Sequence, residues 1–208
     1  MSRNESSNSR QPAGRGAQKS KPQRQPDERA RRTRDRLGDA FVALIHEKPI
    51  DSVTVQDVLD RASVGRSTFY SHFRDKNDLL LSQLEIFLET MSTLLSVRRE
   101  VSQRVAPVAE LFEHIENQKE LYRILARAGR LNDFFDLAQG YFSRGIEHRL
   151  RESRSAPKIR PRELAARAVA LAGSLLSLLR WWLERGAKEP PAEMDELFHR
   201  MVWSGLQK

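Results

Sequence analysis

Between Thr54 and Lys76 the chain reads TVQDVLDRASVGRSTFYSHFRDK, and two helical stripes separated by three residues leave it little choice of local fold. Val55, Val58, Leu59 and Ala62 fall at i, i+3, i+4 and i+7, one apolar face of a short helix. Thr54 stands where an N-cap is needed, and Asp57, three residues on, can reach back as the acidic half of a capping box. Ser63-Val64-Gly65 interrupts the pattern with no room for a long loop. Phe69 and Phe73, four apart, then anchor a second helix on a narrow stripe, which leaves Arg66, Ser67, Thr68, Tyr70, Ser71 and His72 mostly outside. Two helices joined this tightly, the second with its polar face outward, match the way a protein presents a helix to the major groove of a duplex.

These residues resemble the TetR-type transcriptional regulators, whose amino-terminal signature runs T-V-x-x-I-A-x-x-A-G-V-S-x-G-T-F-Y-x-H-F-x-x-K-x-x-L. The chain matches at Thr54, Val55, Ala62, Val64, Thr68, Phe69, Tyr70, His72, Phe73, Lys76 and Leu79. It departs at Ser63, where the family usually has glycine, at Gly65, where it has serine, and at Ser67, where it often has glycine. A left-handed turn at Ser63 costs on the order of 1 kcal/mol relative to glycine. The resemblance implies that Arg66, Ser67 and Ser71 face base edges and that Thr68, Tyr70, His72 and Lys76 hold phosphates, with Thr54 completing the expected DNA-binding set. The chemistry agrees: arginine offers guanine two parallel donors, and hydroxyls and an ammonium suit phosphate oxygens. Phe69 and Phe73 belong to the core. The altered Ser67 means that no operator carries over.

The 208 residues suffice for one small domain and one larger one, residues 27–82 and 83–208, after a leading segment 1–26. There is no cysteine, which excludes disulfides, thiolate metal sites and cysteine nucleophiles and fits a cytoplasmic protein. The net charge of +8 invites a nucleic-acid reading, but its distribution weakens that argument. Residues 1–26 hold Arg3, Arg10, Arg15, Lys19, Lys21 and Arg24 against Glu5 alone, whereas residues 27–82 hold ten Lys or Arg and ten Asp or Glu. Placement therefore matters more than total: Arg66, Arg74 and Lys76 lie on or beside the second helix, and Arg29, Arg32 and Arg36 share a face of the helix before the pair. The leading segment has only Met1, Ala13 and Ala17 as apolar residues, so it reads as a disordered basic tail without the apolar run of a signal peptide.

A first helix starts near Asp27 and Glu28, buries Leu37, Ala40, Phe41, Leu44 and Ile45, and ends at Lys48-Pro49-Ile50-Asp51. A fourth repeats Leu80, Leu84, Phe87, Leu88, Met91, Leu94 and Leu95, and the resemblance makes it the lever between the domains. From Pro107 the pattern stays helical, with breakers at Gly129-Arg130, Ala156-Pro157 and Pro190-Pro191, so the expected fold is all-α. Among the larger domain's aromatics, Phe112, Tyr122, Phe134, Tyr141 and Trp182 are candidate lining for a small-molecule pocket, with plain core the heavier alternative. Leu164–Leu183 is the most apolar stretch, yet Arg167 and Arg180 bound an uncharged run well short of the roughly 20 residues a bilayer needs. It reads as a buried helix with two heptad stripes. One, Leu164, Ala168, Leu171, Leu175, Leu178 and Trp182, can face its own domain; the other, Ala165, Val169, Ala172, Leu176, Leu179 and Leu183, is left for a partner, with Ala172, Leu176, Leu179 and Leu183 as its interface candidates. Leu197 and Met201 on the last helix join them, giving the four-helix homodimer interface that the resemblance implies.

The expected function is then a DNA-binding transcriptional regulator, read as a repressor that binds a palindromic double-stranded operator as a homodimer and answers to a small-molecule effector. An activator of the same fold and a sequence-independent architectural DNA-binding protein are the alternatives. An enzyme fits poorly: His46, His72, His114, His148 and His199 are scattered, no catalytic or metal-ligand spacing recurs, and no cofactor is implied. Glu113, His114 and Glu116 read as a solvated helix face.

Overall fold

A computed structural model describes residues 24–152 and 160–206. Most of the expected tail, residues 1–23, and the break expected at Ala156-Pro157 lie outside them. The described residues form helices α1 (Arg24–Glu47), α2 (Val55–Ala62), α3 (Arg66–Tyr70), α4 (Lys76–Val97), α5 (Val108–Asn117), α6 (Lys119–Arg127), α7 (Leu131–Glu152), α8 (Pro161–Glu184) and α9 (Pro191–Leu206). A single 3-10 turn, Ile50–Ser52, follows α1. Among these residues there is no strand. Helix α1 takes in Arg24 to Pro26, the last residues assigned to the tail.

Helices α1 to α3 and the start of α4 close one small core over Phe41, Leu59, Phe69 and Leu79, all buried. The capping box is present: the Thr54 hydroxyl accepts from Asp57 N–H, and the Asp57 carboxylate accepts from Thr54 N–H. Such a cap is worth about 1 kcal/mol. Ser63 takes the left-handed conformation at φ 51° and ψ 50°, where the family's glycine would sit without strain. Gly65 has ordinary extended angles and open space where a side chain would go, so serine is no requirement there. Arg36 secures this turn, its guanidinium donating to the carbonyls of Ala62 and Ser63. It serves the fold from the exposed α1 face that it shares with Arg29 and Arg32.

Helix α4 begins at an Asp75 cap that accepts from Asn77 and Asp78 N–H, and runs from the small domain into the large one. Two further contacts cross the seam: α6 packs against α1, and Arg130, placed by the positive-φ turn at Gly129, donates to the Asn77 side chain at 2.8 Å. In the large domain α7 packs between α4 and α8. At Gly145 an added Cβ would run into the Ser92 carbonyl oxygen, so glycine is what lets α4 and α7 touch. The segment between α4 and α5 is held without a helix. Arg149 donates to the carbonyls of Glu100, Ser102 and Arg104, and Arg104 pairs with Glu110 and with Asp195 of α9. Burial alone would lower the Arg104 pKa, but these two carboxylates outweigh it and raise it.

Two expectations for this domain are corrected. The aromatics set down as pocket lining are packed core: Phe112, Phe134 and Trp182 are fully buried and Tyr122 nearly so. Phe112 meets Trp182 at 4.8 Å and Tyr122 meets Phe134 edge-on at 5.5 Å, contacts that leave no gap between them. Tyr141 lines a cleft, an open groove of about 340 Å3 between α4 and α7, with Arg144 over its ring. His114 is likewise not solvated: it stacks on Phe87 at 4.2 Å, and burial lowers its pKa.

The second correction concerns α8. Ala172, Leu176 and Leu179, assigned to a partner, are buried within their own chain. The inward line is Leu164, Ala168, Ala172, Leu175, Leu179 and Trp182, whose steps of 4, 4, 3, 4 and 3 average the 3.6 residues of a straight helix. A strict heptad drifts about 20° per repeat against that period, so the buried face crosses from one stripe to the other. Of the expected partner residues Val169 on α8 and Met201 on α9 are exposed, Leu183 and Leu197 are half-buried, and Trp181 is exposed beside them. Lys76–Val97 and Pro161–Glu184 are long and apolar enough, by length and composition, to cross a bilayer, but their buried residues line this bundle.

Candidate nucleic-acid interface

The outward helix of the pair is shorter than its sequence suggests. Helix α3 is a single turn and a half, Arg66–Tyr70, seated on the fully buried Phe69. Ser71 and His72 lie in the turn after it, and Phe73, also buried, is held by its N–H bond to the Phe69 carbonyl. Arg66, Ser67, Thr68 and Tyr70 stand exposed on α3, with Tyr70 packed edge-on against Phe69 at 5.3 Å. The face thus offers a guanidinium, two hydroxyls and a phenol on a rigid apolar footing.

Four of the residues expected here behave differently. Lys76, expected on a phosphate, directs its ammonium at the carbonyls of Ile50, Asp51 and Val53, at 3.0, 2.9 and 2.9 Å. An ammonium has three N–H donors, so this clip uses them all and ties the start of α4 to the 3-10 turn. Thr54 donates its hydroxyl to Asp57 at 2.7 Å, which leaves no hydrogen for a phosphate oxygen. Ser71, assigned to base edges, donates to the Thr68 carbonyl at 2.7 Å. His72 is half-buried off the helix, lining a cleft with Arg34, Arg74 and Asp78.

The surrounding electrostatics are locally balanced, as the neutral count of residues 27–82 implies. The Lys48 ammonium, then the Thr54 hydroxyl and N–H, hold the Asp57 carboxyl well below the usual carboxylate range. Arg61 lowers the pKa of the Glu47 carboxyl through two parallel bonds of 2.9 and 2.6 Å, and Arg74 lowers that of Asp78. Sequence reasoning missed Gln56, which lies outward on α2 and accepts from Arg66 Nη2 at 3.0 Å while donating to Asp60 at 2.7 Å. The i,i+4 spacing of Gln56 and Asp60 was the available signal.

Comparison with known proteins follows this division of the chain. The family described as bacterial regulatory proteins, tetR family, matches residues 38–82, and a transcriptional regulator C-terminal region matches residues 107–203. An uncharacterized HTH-type transcriptional regulator of Bacillus subtilis (strain 168), YxbF, is 33% identical over 64 residues, 30% of this chain; the match spans only 17% of that relative's length. A TetR transcriptional regulator from Streptococcus agalactiae is similar in structure, with 27% identity over 85% of this chain and 97% of its own, and a TM-score of 0.56. The dihydroxyacetone kinase operon activator DhaS shares the fold at a TM-score of 0.63 and 14% identity, over 84% of this chain and 96% of its own.

Proposed function

The chain belongs to the TetR family of transcriptional regulators, and from that premise we propose that it is a cytoplasmic repressor that binds a palindromic operator as a homodimer and is modulated by a small molecule. The observation that carries the DNA-reading part is the exposed Arg66, Ser67, Thr68 and Tyr70 face on a short helix fixed by buried Phe69. In this reading Arg66 and Ser67 meet base edges and Thr68 and Tyr70 meet phosphates. Because the domain around them is formally neutral, discrimination rests on these few side chains rather than on bulk charge.

The homodimer reading narrows to the expected residues left outside, Val169 and Met201, and adds Trp181. Val169, Trp181 and Met201 are large apolar groups exposed on α8 and α9, and Ala166, Ala170, Gly173 and Ser177 between them are small enough for a partner helix to come close. A two-fold pair would set two α3 helices on successive major grooves. The effector reading is carried by the groove beside Tyr141, where Arg144, His148 and Thr93 surround an open volume.

The test is selection of preferred duplexes from a random pool by the full chain, with sedimentation of the free protein. The expected result is an enriched inverted repeat bound by a dimer, with Met201→Lys sedimenting as a monomer and losing the repeat. Enrichment of no palindrome would overturn the reading, and equal affinity for all duplexes would favour an architectural protein.

A further inference from the structure

We propose that Gln56 is a positioning residue for Arg66: it holds the guanidinium in the attitude that presents a complete two-donor edge to a guanine. The inference rests on the reading of Arg66 as a base contact. Gln56 lies on α2 and Arg66 at the start of α3, so their bond spans the turn between the two helices. The Gln56 amide has one arrangement that suits both neighbours. Its oxygen accepts from Arg66 Nη2 at 3.0 Å and its nitrogen donates to Asp60 Oδ1 at 2.7 Å. Turning the amide over would set NH2 against the guanidinium and C=O against the carboxylate, like against like at both ends. Asp60 therefore fixes Gln56, and Gln56 fixes Arg66.

The guanidinium keeps its reading capacity in this arrangement. It has five N–H donors and two edges that each present a parallel pair, one made by Nη1 with Nη2 and the other by Nε with Nη2. Nη2 carries two hydrogens, one on each edge, so a single acceptor on Nη2 always leaves one edge whole. A neutral amide as the tether also matters. A carboxylate in its place would form an ion pair with Arg66, compete with the base and repel the adjacent phosphates. With Gln56 interposed, Asp60 and Arg66 are joined through the amide rather than by a direct ion pair, and the guanidinium keeps its charge for the duplex.

The experiment uses the full chain and measures base preference position by position, together with affinity for random duplex and thermal unfolding. Arg66→Ala identifies the base pair that Arg66 reads. Gln56→Leu, which keeps an apolar stem and removes both hydrogen bonds, is expected to lower discrimination at that same base pair by about two- to tenfold, the scale of releasing one long side chain. Affinity for random duplex and the melting temperature stay unchanged, because both residues are exposed. Asp60→Ala gives a smaller loss at that pair, Asp60→Asn restores the acceptor and the preference, and Gln56→Leu adds nothing once Arg66 is alanine. Unchanged discrimination in Gln56→Leu overturns the proposal. So does a changed preference at a different base pair, which would make Gln56 a reader itself. If Arg66→Ala alters no preference at all, the reading of Arg66 fails and the proposal falls with it, an outcome distinct from the other two.

Discussion

The helix-turn-helix domain and the large helical domain both use cationic clips, Arg149 and Arg104 in the large one, but they lean on them to different degrees. In the first, cations close the fold: Arg36 binds the carbonyls at the end of α2, Lys48 binds the α2 capping carboxylate, and Lys76 binds three carbonyls around the 3-10 turn. In the second, rings close it: Phe112, Phe134 and Trp182 fill the space between α4, α5, α7 and α8 without exposure. A domain of some 55 residues has too little interior to fix each turn by burial alone, so polar clips supplement it. The larger domain has interior to spare. Residue type therefore misleads in opposite directions: basic residues that look like phosphate ligands are structural in one region, and aromatics that look like a pocket are structural in the other.

The contrast can be broken most directly at Trp182. Trp182→Ala should cost about 3–5 kcal/mol in urea unfolding, since the indole is fully buried and its N–H bond to the Glu189 carbonyl goes with it. A variant that kept its stability but lost a response to a small molecule would restore the pocket reading. Next in size is Lys76→Met, expected to cost about 1–3 kcal/mol by removing the ammonium from the Asp51 and Val53 carbonyls and from that of Ile50, which keeps the Val53 N–H. The dependence of duplex affinity on salt should keep its slope. A slope lower by about one with unchanged stability would return Lys76 to the phosphates.

The smallest effect is at Asp57. Its folded-state pKa is depressed, so its contribution is complete above the ordinary carboxylate value of about 3.9 and is lost as pH falls through the lower folded value. Wild-type stability should accordingly fall with acid below about pH 4 more steeply than that of Asp57→Asn, the two unfolding curves drawing together as pH falls toward the lower folded value. Parallel curves would show that the Lys48 and Thr54 bonds do not hold in solution.

Helix positions were legible in the sequence because they depend on spacing and caps, which are local. Thr54 with Asp57, the left-handed Ser63 and the break before Pro191 all stand where the sequence implies. Partners were not legible, because they depend on which neighbour arrives from elsewhere in the chain. Nothing near Lys76 announces that the carbonyls of residues 50 to 53 will reach it, 23 to 26 positions away. The inward face of α8 shows the same limit on a finer scale: heptads and a 3.6 repeat agree over two turns and diverge over six. Gln56 was missed for a milder reason, since an outward glutamine on a helix looks like ordinary surface until the next helix sets an arginine beside it.

One small contact constrains how the two domains can move. Arg130 grips Asn77, and Asn77 lies between Lys76, which pins the 3-10 turn, and Asp78, which holds Arg74. The large domain thus touches α4 at the very end where α4 is fastened to the helix-turn-helix. A push delivered at a pivot turns nothing. Rotation of the small domain about this point has to be driven away from it, by α6 against α1 or from farther along α4 where Ser92 meets Gly145 of α7, where the arm is long enough to convert a slight shift of helices into a change of angle.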